Sequence, residues 1–119
     1  MRVSWLLAAL VLCAVMAAFH LWGLKDFLYW RYYWFDIFMH FLGGLAVGTA
    51  LVGFLIRHRP WLFLVLFVAG MVGWEMFEFF AGLTKQTDYV SDTALDLLMD
   101  VLGVGLVYIV ARMTLWRSV

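Results

Sequence analysis

The chain has 119 residues, of which 67% are hydrophobic and 13% charged, with one proline and a formal net charge of zero. A soluble fold of this size has too little interior to hide so much apolar surface, so the composition excludes a soluble globule. No basic run suggests a nucleic-acid partner, and Cys13, the only cysteine, cannot form an internal disulfide.

Four hydrophobic stretches predict an all-α integral membrane protein, with residues 1–119 forming a single domain of four transmembrane helices in a compact bundle. The expected helices cover about residues 3–22, 36–56, 61–82 and 93–112. The first follows Arg2 and ends in small residues near Ala17 and Ala18, as a signal peptide does. Its length is nearer to a span than to a short signal core, and it is read as a retained helix. Residues 23–35 are short, aromatic and mildly charged, a composition that belongs at a membrane–water interface. The second span carries Asp36 and His40 four residues apart, with Gly44 and Gly48 on the same side, where another helix could approach closely. A polar turn, Arg57-His58-Arg59-Pro60, leads to the third span, where Glu75 and Glu78 share a face with Gly82. His58 between two arginines reads as a solvated side chain. Residues 83–91 form a polar loop before the fourth span. That span opens with Asp92, Asp96 and Asp100 at intervals of four, and Gly103 follows.

With four spans, both termini and the Arg57–Arg59 turn fall on one side, which collects Arg2, Arg57, Arg59, Arg112 and Arg117. The other side holds Lys25, Arg31 and Lys85, so the positive-inside rule predicts cytoplasmic termini. Trp5, Trp61 and Trp116 then mark the inner interface. The same topology sends all eight acids toward the opposite side, and brings Asp36, His40, Glu75, Glu78, Asp96 and Asp100 to one level.

A carboxylate facing lipid costs roughly 3 kcal/mol or more, so the acids are expected to face protein or a wet cavity. Two of them 4 Å apart would repel by about 4 kcal/mol even at an effective dielectric of 20. Either some hold protons, or a cation sits among them. Asp36-x3-His40, Glu75-x2-Glu78 and Asp96-x3-Asp100 each put two ligand atoms on one helical face, the arrangement from which helical bundles build metal sites. One imidazole among oxygens suits a divalent ion and does not select among Zn, Mg, Mn and Fe.

The order of these motifs resembles the YjdF-like family of bacterial inner-membrane proteins. Here it reads Asp36…His40-Phe41-Leu42-Gly43-Gly44, then Glu75…Glu78, then Gln86-Thr87-Asp88…Asp92-Thr93…Asp96…Asp100…Gly103. It is also similar to the wider VanZ-like group, whose Asp-x3-His-Phe and terminal Asp-x3-Asn-x2-Gly patterns run in the same order. Asp100 stands where that group usually has asparagine, which adds charge and favours a cation. The resemblance implies a bacterial inner-membrane protein, and for VanZ-like proteins an association with resistance to a glycopeptide antibiotic.

Two functional readings follow. One is a metal-dependent membrane enzyme acting on a lipid-linked or cell-envelope substrate, with Glu75 or Glu78 as general base. The other is a non-enzymatic protein with a proton-sharing polar core: an ion- or proton-coupled carrier, or a bundle that assists a partner. The acid-free inner half argues mildly against a proton path through the membrane. A homo-oligomer is compatible with both.

Overall fold

The computed structural model describes residues 2–55, 57–80 and 89–117. Residues 83–88 of the expected loop, Gly82, and the side chains of Glu78 and Asp92 lie outside the described residues, whereas residues 89–91, expected in that loop, already belong to the last helix. Five helices account for the fold: α1 (Val3–Lys25), the short α2 (Leu28–Arg31), α3 (Tyr33–Phe54), α4 (Pro60–Phe80) and α5 (Tyr89–Thr114). No strand occurs among the described residues. Each of the four long helices is long and apolar enough to cross a membrane. The molecule's long axis is 46 Å, against about 40–45 Å for a bilayer including its headgroups.

The aromatic segment after α1 is not simply a loop. Phe27 takes a left-handed conformation, φ 58°, and turns the chain into α2. Tyr29 of α2 packs edge-on against Phe35, with ring centroids 4.8 Å apart, and α3 begins at Tyr33 rather than at Asp36. Nothing in the aromatic run Tyr33-Trp34-Phe35 opposes helix, so α3 extends one turn beyond the apolar stretch. Asp36 consequently lies in the first turn, where the helix dipole favours a carboxylate.

Helix α3 is the centre of the molecule, packed chiefly on α5 and on α1, with α4 meeting α3 and α5 only lightly. Lipid tails are as apolar as leucine, so burial of hydrocarbon gives these helices little reason to associate. Close backbone approach supplies the contact instead. A Cβ on Gly103 would lie 2.5 Å from the Phe41 carbonyl and 3.0 Å from the Gly44 Cα, and one on Gly48 would lie 3.0 Å from Val104. Only glycine fits where α3 crosses α5. Helix α4 joins through Phe63 and Phe67, which enter a core with Val52, Val104, Val107, Ala111 and Trp116. Its Gly70 and Gly73 have nothing close to them.

The arginine-rich end is tied together by side chains whose partners no sequence pattern announces. The Arg2 backbone N–H donates to the Gly53 carbonyl at 2.8 Å, and its guanidinium donates to the carbonyls of Val52 and Leu55. These are carbonyls at the C-terminus of α3, which a cation caps favourably. Trp116 is buried at 2% exposure, with the Arg2 guanidinium over its ring. His58 is likewise half-buried rather than solvated: Nε2 lies 2.7 Å from the Tyr108 hydroxyl, and the ring lies 4.9 Å from Trp116. Burial, together with the nearby Arg112 charge, holds His58 below the usual histidine range. A histidine kept neutral by the fold but protonated when released destabilises the fold as pH falls through the free value of about 6.5. We expect the wild-type melting temperature to drop more between pH 7.5 and 5.5 than that of His58→Gln, and parallel drops would refute this.

Candidate functional site

The site lies toward the acidic end, on the faces that α3 and α5 turn to each other. Helical period puts Asp36 and His40 one turn apart on α3, and Asp96 and Asp100 one turn apart on α5. The Gly44–Gly103 contact lies one turn beyond, so the helix backbones are close just where these side chains must meet. His40 stands at the centre. Its Nε2 is 3.3 Å from Asp96 Oδ2 and 3.9 Å from Asp36 Oδ1, and its Nδ1 is 3.3 Å from Asp100 Oδ1. All four side chains are largely buried, from 5% exposure for Asp96 to 17% for Asp36.

Three carboxylates around one imidazole cannot be an ordinary surface network. A protonated ring could donate from both nitrogens and offset one of the three negative charges. A neutral ring, with its proton on Nδ1 toward Asp100, turns the Nε2 lone pair to the side shared by Asp36 and Asp96. The ligand atoms of Asp36, His40 and Asp96 all lie within 4.8 Å of one another. A metal bound at about 2.0–2.2 Å from each would hold them roughly 3–3.5 Å apart. The gaps of 3.3 and 3.9 Å to the His40 nitrogen thus stand near that spacing. Asp100, on the other ring nitrogen, occupies the position from which a carboxylate orients a ligating histidine.

Of the six residues singled out in the sequence, Asp36, His40, Asp96 and Asp100 come together. Glu75 is buried at 8% exposure on α4 and is not part of the three-ligand grouping. The Glu78 side chain lies outside the described residues. His20 of α1 places its Nδ1 2.7 Å from the hydroxyl of Tyr29 on α2. That pairing spans an interhelical turn whose geometry the sequence leaves unspecified.

Fold and site together define a polytopic, all-helical integral membrane protein with a histidine enclosed by aspartates between two of its spans. A family model described as "Predicted membrane protein (DUF2238)" matches residues 1–117, and the chain belongs to that family. This is the family of the YjdF-like proteins that its motifs resemble. Searches of curated proteins and of solved structures each find no match.

Proposed function

We propose that the protein binds a divalent metal ion within the membrane, ligated by Asp36, His40 and Asp96, with Asp100 positioning the imidazole. The observation that carries this reading is the convergence of three ligand atoms within 4.8 Å, from two helices, in a largely buried setting. Buried charge in a membrane is expensive and ordinarily marks a functional site. Two oxygens and one imidazole nitrogen suit Zn, Mn, Fe or Mg alike. Glu75 and Glu78 are proposed as further acidic groups from α4, available as ligands or as a general base on a lipid-linked or cell-envelope substrate. A bacterial inner membrane, cytoplasmic termini and a single domain over residues 1–119 belong to the same reading. Reporter fusions at Val119 test its orientation, and efficient export of the reporter would reverse it.

Elemental analysis of the purified protein before and after chelation tests the metal directly. About one equivalent of a divalent metal, lost on chelation and regained on addition, is the expected result. Asp100→Asn should weaken that binding by about 10–100-fold, the usual cost of removing the group that orients a ligand. Asp96→Asn should weaken it at least as much.

A second reading rests on the approach of carboxylates to both His40 ring nitrogens. In that case the cluster shares protons, and the protein is a carrier or a partner-assisting bundle. Purified protein free of metal, and unaltered by added metal, would favour it.

A further inference from the structure

Helix α4 meets the bundle along a single line of side chains. Among its described residues Phe63, Phe67 and Glu75 are buried and Met71 is half-buried, each four residues from the next in the line. Phe63, Phe67 and Met71 belong to the core shared with α3 and α5. Glu75 continues that line one turn further, and every other described side chain from Val72 to Phe80 is exposed. The height of Glu75 in the bundle follows from the helical rise. Successive spans run antiparallel, and the Phe63 ring lies 5.3 Å from that of Tyr108 on α5. Twelve residues on from Phe63 is Glu75, and twelve back from Tyr108 is Asp96, each about 18 Å along its helix. Among the described residues α4 packs on α3 and α5 and on no other helix. The buried Glu75 carboxylate therefore comes to the level of His40 and Asp96, on the α4 side of them.

The two halves of α4 are held in different ways. Phe63 and Phe67 fill a shared core. Beyond Met71 no buried apolar side chain follows among the described residues, and lipid tails receive Val72, Trp74, Met76 and Phe77 as readily as protein would. Glu75 is the exception, because lipid cannot solvate a carboxylate. Its attraction to the bundle decides whether this half docks. Asp36, Asp96 and Asp100 already face His40 at 3.3 to 3.9 Å, and like charges at that level repel a fourth carboxylate. A divalent ion at the cluster reverses the sign. Glu75 stands five residues from Phe80, about 8 Å from the end of α4, so an outward swing takes its carboxylate toward headgroup water.

We infer that the C-terminal half of α4 is a lid over the His40 cluster, held shut by Glu75 on a divalent ion bound there. The inference rests on the metal reading and adds its regulation: the ion closes the lid, and loss of the ion opens it. An ion that meets Glu75 only in the closed form shifts the population toward that form. The other half of α4 stays anchored by Phe63 and Phe67. The turn before it is tied to α5 by the 2.7 Å contact between His58 Nε2 and the Tyr108 hydroxyl.

Distances between paired spin labels test it, in a Cys13→Ser background that removes the one native thiol. Labels at Phe80→Cys and Trp30→Cys, both exposed positions, report the lid. Labels at Trp61→Cys and Met113→Cys, also exposed, report the anchored half. Chelation should lengthen the first distance by roughly 5 Å or more, about half a helix diameter, and leave the second unmoved. Glu75→Leu removes the group that the ion holds, so its first distance should no longer respond to metal. Glu75→Gln, which keeps the shape without the charge, should behave alike. Metal lost on chelation with the first distance unmoved would overturn the lid and leave the metal reading standing. Protein that binds no metal would overturn both. A lengthening of both distances would overturn the lid, as would Glu75→Leu and Glu75→Gln variants that respond like wild type.

Discussion

Chelation near pH 7 should lower the melting temperature of the wild-type protein by about 5 °C or more and should leave His40→Ala unmoved. The size follows from linkage. A ligand present at about a hundred times its dissociation constant stabilises the fold by about 2.7 kcal/mol, and each kcal/mol is worth roughly 2–8 °C in a domain of this size range. The direction follows from the charges. Asp36, Asp96 and Asp100 surround His40 at 3.3 to 3.9 Å. Withdrawing a divalent ion would leave those carboxylates facing one another where water screens them poorly. His40→Ala removes the one nitrogen ligand, so the variant should already resemble the chelated wild type. Restoring the metal should recover the wild-type transition and not that of the variant. A wild-type transition indifferent to chelation would assign the cluster to proton sharing, and the metal reading would fall.

The sequence makes some parts of this molecule legible for simple physical reasons. Spans are readable because hydropathy and length are constrained by a bilayer of fixed thickness, and α1, α3, α4 and α5 satisfy both. Shared faces are readable because the helical period is fixed, so Asp36-x3-His40 and Asp96-x3-Asp100 had to present pairs. Distances between helices are not encoded that way. Hydropathy marks α4 as a span but does not say which of its side chains enter a shared core, and among the described residues Phe63 and Phe67 do. His58 illustrates the same gap. Its neighbours in sequence are two arginines, while its neighbours in space are Tyr108 and Trp116, more than fifty positions away for the latter. The glycines lie between these cases. Gly44, Gly48 and Gly103 sit in legible positions, but whether each one touches a neighbour depends on the crossing of α3 and α5.

That crossing gives the second large expected effect. Gly103→Ala and Gly105→Ala are the same substitution two residues apart on α5, and they should behave very differently. At Gly105 an added Cβ meets nothing within 4 Å. Replacement there should be neutral, or stabilising by up to about 1 kcal/mol, because alanine is the better helix former. At Gly103 the added Cβ would fall 2.5 Å from the Phe41 carbonyl, 2.9 Å from the Leu45 nitrogen and 3.0 Å from the Gly44 Cα. All three are backbone atoms of α3, with no flexible side chain to yield, so the helices must separate. Overpacking of this kind typically costs about 1–3 kcal/mol. The separation also reaches the site, because Asp100 lies one turn from Gly103 and its 3.3 Å contact with His40 Nδ1 has little slack. Gly103→Ala should therefore lower both unfolding stability in detergent and metal affinity, whereas Gly105→Ala should lower neither. Equal stability of the two variants would show that the α3–α5 contact is looser than described. Lost stability with unchanged metal binding would separate the crossing from the site, leaving His40 and its aspartates to be held by α3 and α5 through other contacts.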